Sequence, residues 1–274
     1  MLEEAISGLP LYRQWDLCLL WGAYLLCLIV PVVRGALTPI CGLSRPSWQP
    51  YPDTDFPNKW DIAFVFLYLA LFINANSTLM IALGEKMEKY SISAAITNLI
   101  IYTPVLLRFR MMPTSPLRAN WSVSLAAAFL VVFVGSTFNI IYTYSGLLDY
   151  ISTATGSPQL QDVALMIKDG DLVTCATLAF TAVIVAPICE ECLFRGFLYN
   201  IVKKYSCGTV AAVLTSIVFG AVHISLAQTL PLVVFALLLC FIYERTHSLR
   251  ACILAHALFN AISVISLIFF GVDF

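Results

Sequence analysis

Residues 121–144 read WSVSLAAAFLVVFVGSTFNIIYTY, an apolar run without a charged side chain and long enough to cross a bilayer's hydrocarbon core as one helix. Runs of the same kind, about 17 to 25 mostly apolar residues each, recur at Leu17 to Val33, Trp60 to Leu83 and Leu249 to Phe270. Shorter or more polar ones lie at Ile92 to Leu107, Leu172 to Ala186, Val210 to His223 and Leu226 to Tyr243. Together they predict an all-α, polytopic membrane helical bundle with about eight transmembrane helices. The composition agrees: 60% of the 274 residues are hydrophobic and 11% charged, with a mean hydropathy of +0.89. Such a chain is neither a water-soluble enzyme nor a disordered or collagen-like one. A net charge of −1 without a long basic run gives no electrostatic reason to expect nucleic acid as a partner.

The nine cysteines sit mostly inside apolar runs, as small hydrophobes do, and imply no disulfide framework. Glu3 and Glu4, with no basic cluster before the first run, do not make a cleavable signal peptide, so that run is expected to stay as a membrane helix. Two sizeable loops are expected, from Pro46 to Pro57 and from Gly146 to Gly170. Within the second, Leu160, Val163, Ala164 and Ile167 fall at helical spacing, which suggests a short amphipathic helix over Leu160 to Lys168, along the interface or in a solvated loop. No internal repeat of the transporter kind is evident. Lys and Arg concentrate after odd-numbered spans (Arg34, Arg45, Lys59, Arg108, Arg110, Arg118, Lys203, Lys204, Arg245, Arg250), which puts those loops in the cytoplasm and both termini outside.

Ionisable groups are costly inside a membrane, so polar residues within apolar runs are the functional candidates. They cluster in the second half. APICEECLFRG, residues 186–196, carries Glu190, Glu191 and Arg195. On a helix Glu191 and Arg195 are four apart and pair on one face, while Glu190 is rotated by about 100° and can face elsewhere. Phe219 and His223 share a face near the end of their run, and His256 and Asn260 share one on the last helix. Each has a plain structural alternative: an ion pair that orients a helix for Glu191 and Arg195, interhelical hydrogen bonding for His223, His256 and Asn260. Occurring together, they allow a carboxylate, two imidazoles and an amide to converge. Asn74, Asn76, Asn139 and His247 lack such company and read as packing, interface or loop residues. Cys189 and Cys192 form a Cys-x-x-Cys that reads as packing, since no second pair or redox pattern accompanies it.

Glu190-Glu191-x-x-x-Arg195, Phe219-x-x-x-His223 and His256-x-x-x-Asn260, in this order and on membrane helices, resemble the motifs of the CAAX protease and bacteriocin-processing family, also called CPBP or ABI. The likeness covers about residues 160 to 270. It divides one continuous membrane domain into variable N-terminal membrane helices, 1–159, and a CPBP-like catalytic core, 160–274.

The resemblance implies an intramembrane endopeptidase acting on a lipidated or membrane-associated, CAAX-like or bacteriocin-type peptide. Peptide hydrolysis needs an activated water and a place for the charge on the tetrahedral intermediate. On that footing Glu190 is the general base, His223 holds and polarises the water, His256 and Asn260 donate to the oxyanion, and Glu191 pairs with Arg195 or shares the base role. The preferred reading requires no cofactor; zinc stays open, with Glu190, His223 and His256 as its ligands, although the usual His-Glu-x-x-His motif is missing. The expected partners are the lipid bilayer and a peptide or lipidated protein, and the expected setting is a bacterial cytoplasmic membrane. A non-catalytic scaffold or immunity protein and a transporter are the competing readings.

Overall fold

The computed structural model describes residues 60–69, 102–108 and 120–270, together with helical Gly22, Leu25 and Ile100. The expected span at 17–33 and the loop at 46–57 lie outside these residues, Gly22 and Leu25 apart. So do the ends of the next two spans at 70–83 and 92–99, Asn74, Asn76, and most of the N-terminal basic residues. Among the described residues every regular element is helical. In chain order they are α1 (Trp60–Leu69), α2 (residues 102–108), α3 (Trp121–Tyr144), α4 (Leu147–Thr155), α5 (Asp162–Asp169), α6 (Leu172–Tyr205), α7 (Gly208–Ala221), α8 (Leu226–Thr246) and α9 (Leu249–Phe270).

Four of these, α3, α6, α8 and α9, are long and apolar enough to cross a membrane, and the protein is an integral membrane helical bundle. The Asn120 side chain caps α3 by accepting from Ser122 N at 3.2 Å. Its buried face, Ser124, Ala128, Val131, Gly135, Asn139 and Tyr142, recurs every three or four residues and packs on α8 and α9. Phe129, Phe133 and Ile141 on the other faces remain exposed, as lipid-facing side chains would. Gly135 permits the close approach, since a Cβ there would stand 3.2 Å from the Phe235 ring.

The expected span from Leu172 to Ala186 is corrected: the helix runs on to Tyr205, 34 residues in all, about 50 Å of axis against a hydrocarbon core of about 30 Å. Proline interrupts a helix by removing a donor and by crowding the preceding turn. Here the turn before Pro187 widens into a π-helical stretch, Thr181–Val185, and a second follows at Cys192–Leu198. Glu190 and Glu191 lie between the two. The sequence also offered α4 as loop; left-handed glycines, Gly146 (φ 79°) and Gly156 (φ 71°), bracket a helix there. The amphipathic helix expected at 160–168 is α5.

The helix expected over Val210 to His223 stops at Ala221, which puts His223 in a tight turn beside Ile224, whose φ is 49°. That turn follows a close approach of α7 and α8, where a Cβ on Gly220 would come within 2.8 Å of Val233 Cγ2 and 2.9 Å of the Thr229 carbonyl. The main core joins α1, α2 and α3 to α6–α9 through such residues as Leu69, Val105, Val131, Phe197, Leu239 and Cys252. Away from the site, Glu244 on α8 accepts from Tyr199 and Lys203 and ties down the end of α6.

Candidate active site

The polar residues singled out in the sequence gather where α6, α9 and the α7–α8 turn meet. Glu190, Phe219, His223, His256 and Asn260 line one cavity of about 360 Å³, whereas Glu191 and Arg195 are not on its wall. The two adjacent carboxylates therefore have different surroundings, as their rotation about the helix axis dictates.

Glu191 is fully buried. Its Oε1 accepts from Arg195 Nη1 at 2.9 Å, and His256 Nδ1 lies 2.9 Å from the same oxygen. Arg195 donates its other Nη to the Ala236 carbonyl at 3.1 Å and stands over the Phe219 ring, 4.8 Å from its centroid. This guanidinium binds α6 to α8 and backs the cavity. Burying an ion pair is favourable only when its remaining groups find partners; the backbone carbonyl and the imidazole supply two, while Glu191 Oε2 and Arg195 Nε have no hydrogen-bond partner among the described residues.

His256 is clamped edge-on between Phe219 and Phe235, each 5.7 Å away centroid to centroid. A carboxylate shared with arginine can only accept from it, so Nδ1 carries a proton and Nε2 is turned toward Glu190, 4.0 Å from its Oε2. The second imidazole is fixed similarly: His223 Nδ1 donates to the Phe219 carbonyl at 2.7 Å, which leaves Nε2 as its working nitrogen. His223 shares the cavity with Glu190 and makes no direct hydrogen bond to it.

Glu190 Oε2 has no hydrogen-bond partner among the described residues. Its Oε1 accepts from the hydroxyl of Tyr102 on α2 at 3.2 Å. Tyr102 is an aromatic residue in an apolar run 88 positions away; its hydroxyl within a candidate span is the one signal at sequence level, and no spacing ties it to Glu190.

Asn260 does something other than wait for an oxyanion. Its Nδ2 donates to the Ala182 carbonyl at 2.8 Å. In the π-helical register of this turn Ala186 N–H bonds the Thr181 carbonyl. The next donor in that register would be residue 187, which is proline and has no N–H. The Asn260 amide thus supplies the hydrogen bond that Pro187 withholds.

Cys189 and Cys192 are buried free thiols. Nor do Glu190, His223 and His256 form a metal cage: among the described residues no three His, Cys, Asp or Glu side chains converge as a ligand set, and zinc held by protein needs three or four. The donor set as folded does not fit zinc.

Residues 172–262 match the family model described as type II CAAX prenyl endopeptidase Rce1-like, an interval that contains all seven motif residues. Over this interval the chain is similar to the CPBP/CAAX protease family. The chain is also 26% identical over 179 residues to a Bacillus subtilis (strain 168) protein named "Putative membrane peptidase YdiL", the alignment covering 64% of this chain and 70% of that one. No solved structure gives a significant match. The family is one of peptide hydrolases that work in membranes, and the four apolar helices suit that setting.

Proposed function

We propose that the chain is an intramembrane endopeptidase that hydrolyses a peptide bond in a lipidated or membrane-associated, CAAX-like peptide, with Glu190 as general base. One observation carries this reading: a carboxylate that lines a cavity inside a membrane bundle, held at one oxygen by Tyr102, its other oxygen buried, without a hydrogen-bond partner among the described residues and 4.0 Å from an imidazole nitrogen. That separation exceeds a direct hydrogen bond and suits a water that contacts both groups.

Glu190 Oε2 takes a proton from the water as its oxygen bonds to the substrate carbonyl carbon. The oxyanion that forms accepts a hydrogen bond from His256, which Glu191 holds from behind. The second N–H of Asn260 reaches the same charge. His223, with Nδ1–H spent on the Phe219 carbonyl, accepts from the attacking water through Nε2. The carbon–nitrogen bond then breaks, and the proton on Glu190 passes to the departing amine, so the carboxylate is restored. No step is routed through a metal.

The cavity supports a membrane-borne substrate. From His256 to Leu267 its wall follows α9 for about 16 Å of helix axis, and Leu160, Val163 and Ile167 at the edge of α5 make that reach apolar. A bacterial cytoplasmic membrane is the proposed location, in keeping with the Bacillus relative.

The test is cleavage of a peptide library by detergent-purified protein, with Glu190→Gln beside it. We expect cleavage by the parent and a loss of at least 100-fold in the variant, the lower range for a general base. Full activity in Glu190→Gln overturns the assignment, and flux of a solute without any cleavage would favour a transporter.

A further inference from the structure

We infer that Tyr102, on α2 and outside the family-matched interval, is a positioning residue for Glu190 that determines which carboxylate oxygen faces the reacting water. The inference rests on Glu190 being the base.

A carboxylate's terminal torsion is broad and nearly two-fold, so nothing intrinsic to Glu190 distinguishes its two oxygens. The phenol does. Tyr102 OH can only donate to a carboxylate, and it reaches Oε1 at 3.2 Å. Oε2 is left without a hydrogen bond among the described residues, facing His256 Nε2. Tyr102 is itself a fixed reference: it is 5% exposed, and Val105, one turn further on the same helix, is fully buried in the main core. It also lines the cavity beside Glu190. Its helix thus brings to the site a hydroxyl that none of the three motifs supplies. Without it the carboxylate can rotate or swing toward His256, closing the gap in which water is to be activated, and a displacement of about 1 Å in a reacting group can cost on the order of 100-fold in rate.

The experiment compares parent, Tyr102→Phe and Glu190→Gln in peptide cleavage, each with its thermal midpoint in detergent. Phenylalanine keeps the ring and its packing and removes only the donor. The expected result is a kcat for Tyr102→Phe lower by about tenfold or more, as for loss of one hydrogen bond to a charged group, with KM within twofold and the midpoint held. A kcat within twofold of the parent overturns the positioning role, as does a loss that appears in KM or only alongside a lowered midpoint. If Glu190→Gln is inactive while Tyr102→Phe keeps a kcat within twofold of the parent, the inference alone fails. If Glu190→Gln stays fully active, the reading of Glu190 as base fails and takes the inference with it.

Discussion

His256 Nδ1 and Arg195 Nη1 both lie 2.9 Å from a single oxygen, Glu191 Oε1. The carboxylate beside the proposed base is thus an anchor, joining α6 to α9 across 65 residues of chain and aiming His256 Nε2 into the cavity. Removing one partner of such a pair leaves an uncompensated buried charge. Glu191→Gln should lower the stability of the protein by about 3 to 5 kcal/mol and activity with it, whereas Glu190→Gln should leave the thermal midpoint near the parent's. Melting curves in one detergent decide this; equal midpoints for Glu191→Gln and the parent would show that Glu191 is no anchor.

The bond to Ala182 and the proposed oxyanion contact give Asn260 two roles that can be separated. Asn260→Ala removes the donor to the Ala182 carbonyl, at a cost of about 1 to 3 kcal/mol for a buried acceptor left unmade. Pro187→Ala returns a backbone N–H to that turn, so the double variant Asn260→Ala/Pro187→Ala should recover much of the lost thermal stability. Peptide cleavage should not recover with it, because the oxyanion still lacks the second amide N–H. Recovery of both would make Asn260 purely a structural substitute for the missing backbone donor.

These relationships show where sequence reading succeeds. The limits expected for α3 and α9 coincide with those observed because both are long, mostly apolar runs, and the Glu191–Arg195 pair follows from helical spacing alone. The contacts of His256 with Glu191 and of Asn260 with Ala182 cross between helices, and no local period encodes them. Pro187 follows the end of the expected span, since a straight α-helix cannot absorb it; a widened turn can. The apolar run predicts a helical His223, while the turn at Ile224 depends on how α7 meets α8 at Gly220. Tyr102 shows the same limit from the other side, for its significance lies wholly in a partner on another helix.

At the start of α6, outside the span, Asp171 Oδ1 accepts from Thr174 N at 2.7 Å. The hydrogen bonds from Thr174 hold its carboxyl below the ordinary value of 3.8. A carboxyl lowered by folding stabilises the folded state fully above its unfolded value, and that contribution fades as pH falls through the lower folded one. Asp171→Ala should therefore have a lower thermal midpoint than the parent at pH 7. The difference should shrink as pH is taken below about 3.8. A gap that persists unchanged at the lowest pH would assign the effect to packing at this exposed position rather than to the charged cap.

Since Glu190, His223 and His256 do not form a cage, catalysis should survive removal of metal. His223 Nδ1 bonds the Phe219 carbonyl and His256 Nδ1 the Glu191 carboxylate, which leaves both Nε2 atoms free in the manner of metal-ligating histidines, but among the described residues no three His, Cys, Asp or Glu side chains converge. Protein dialysed against a strong chelator, and found by elemental analysis to contain far less than one metal per chain, should cleave peptide at the rate of untreated protein. Loss of activity on dialysis, restored by stoichiometric zinc, would instead mean that the three side chains rearrange to bind the ion, and Glu190→Gln would then lower zinc content as well as rate.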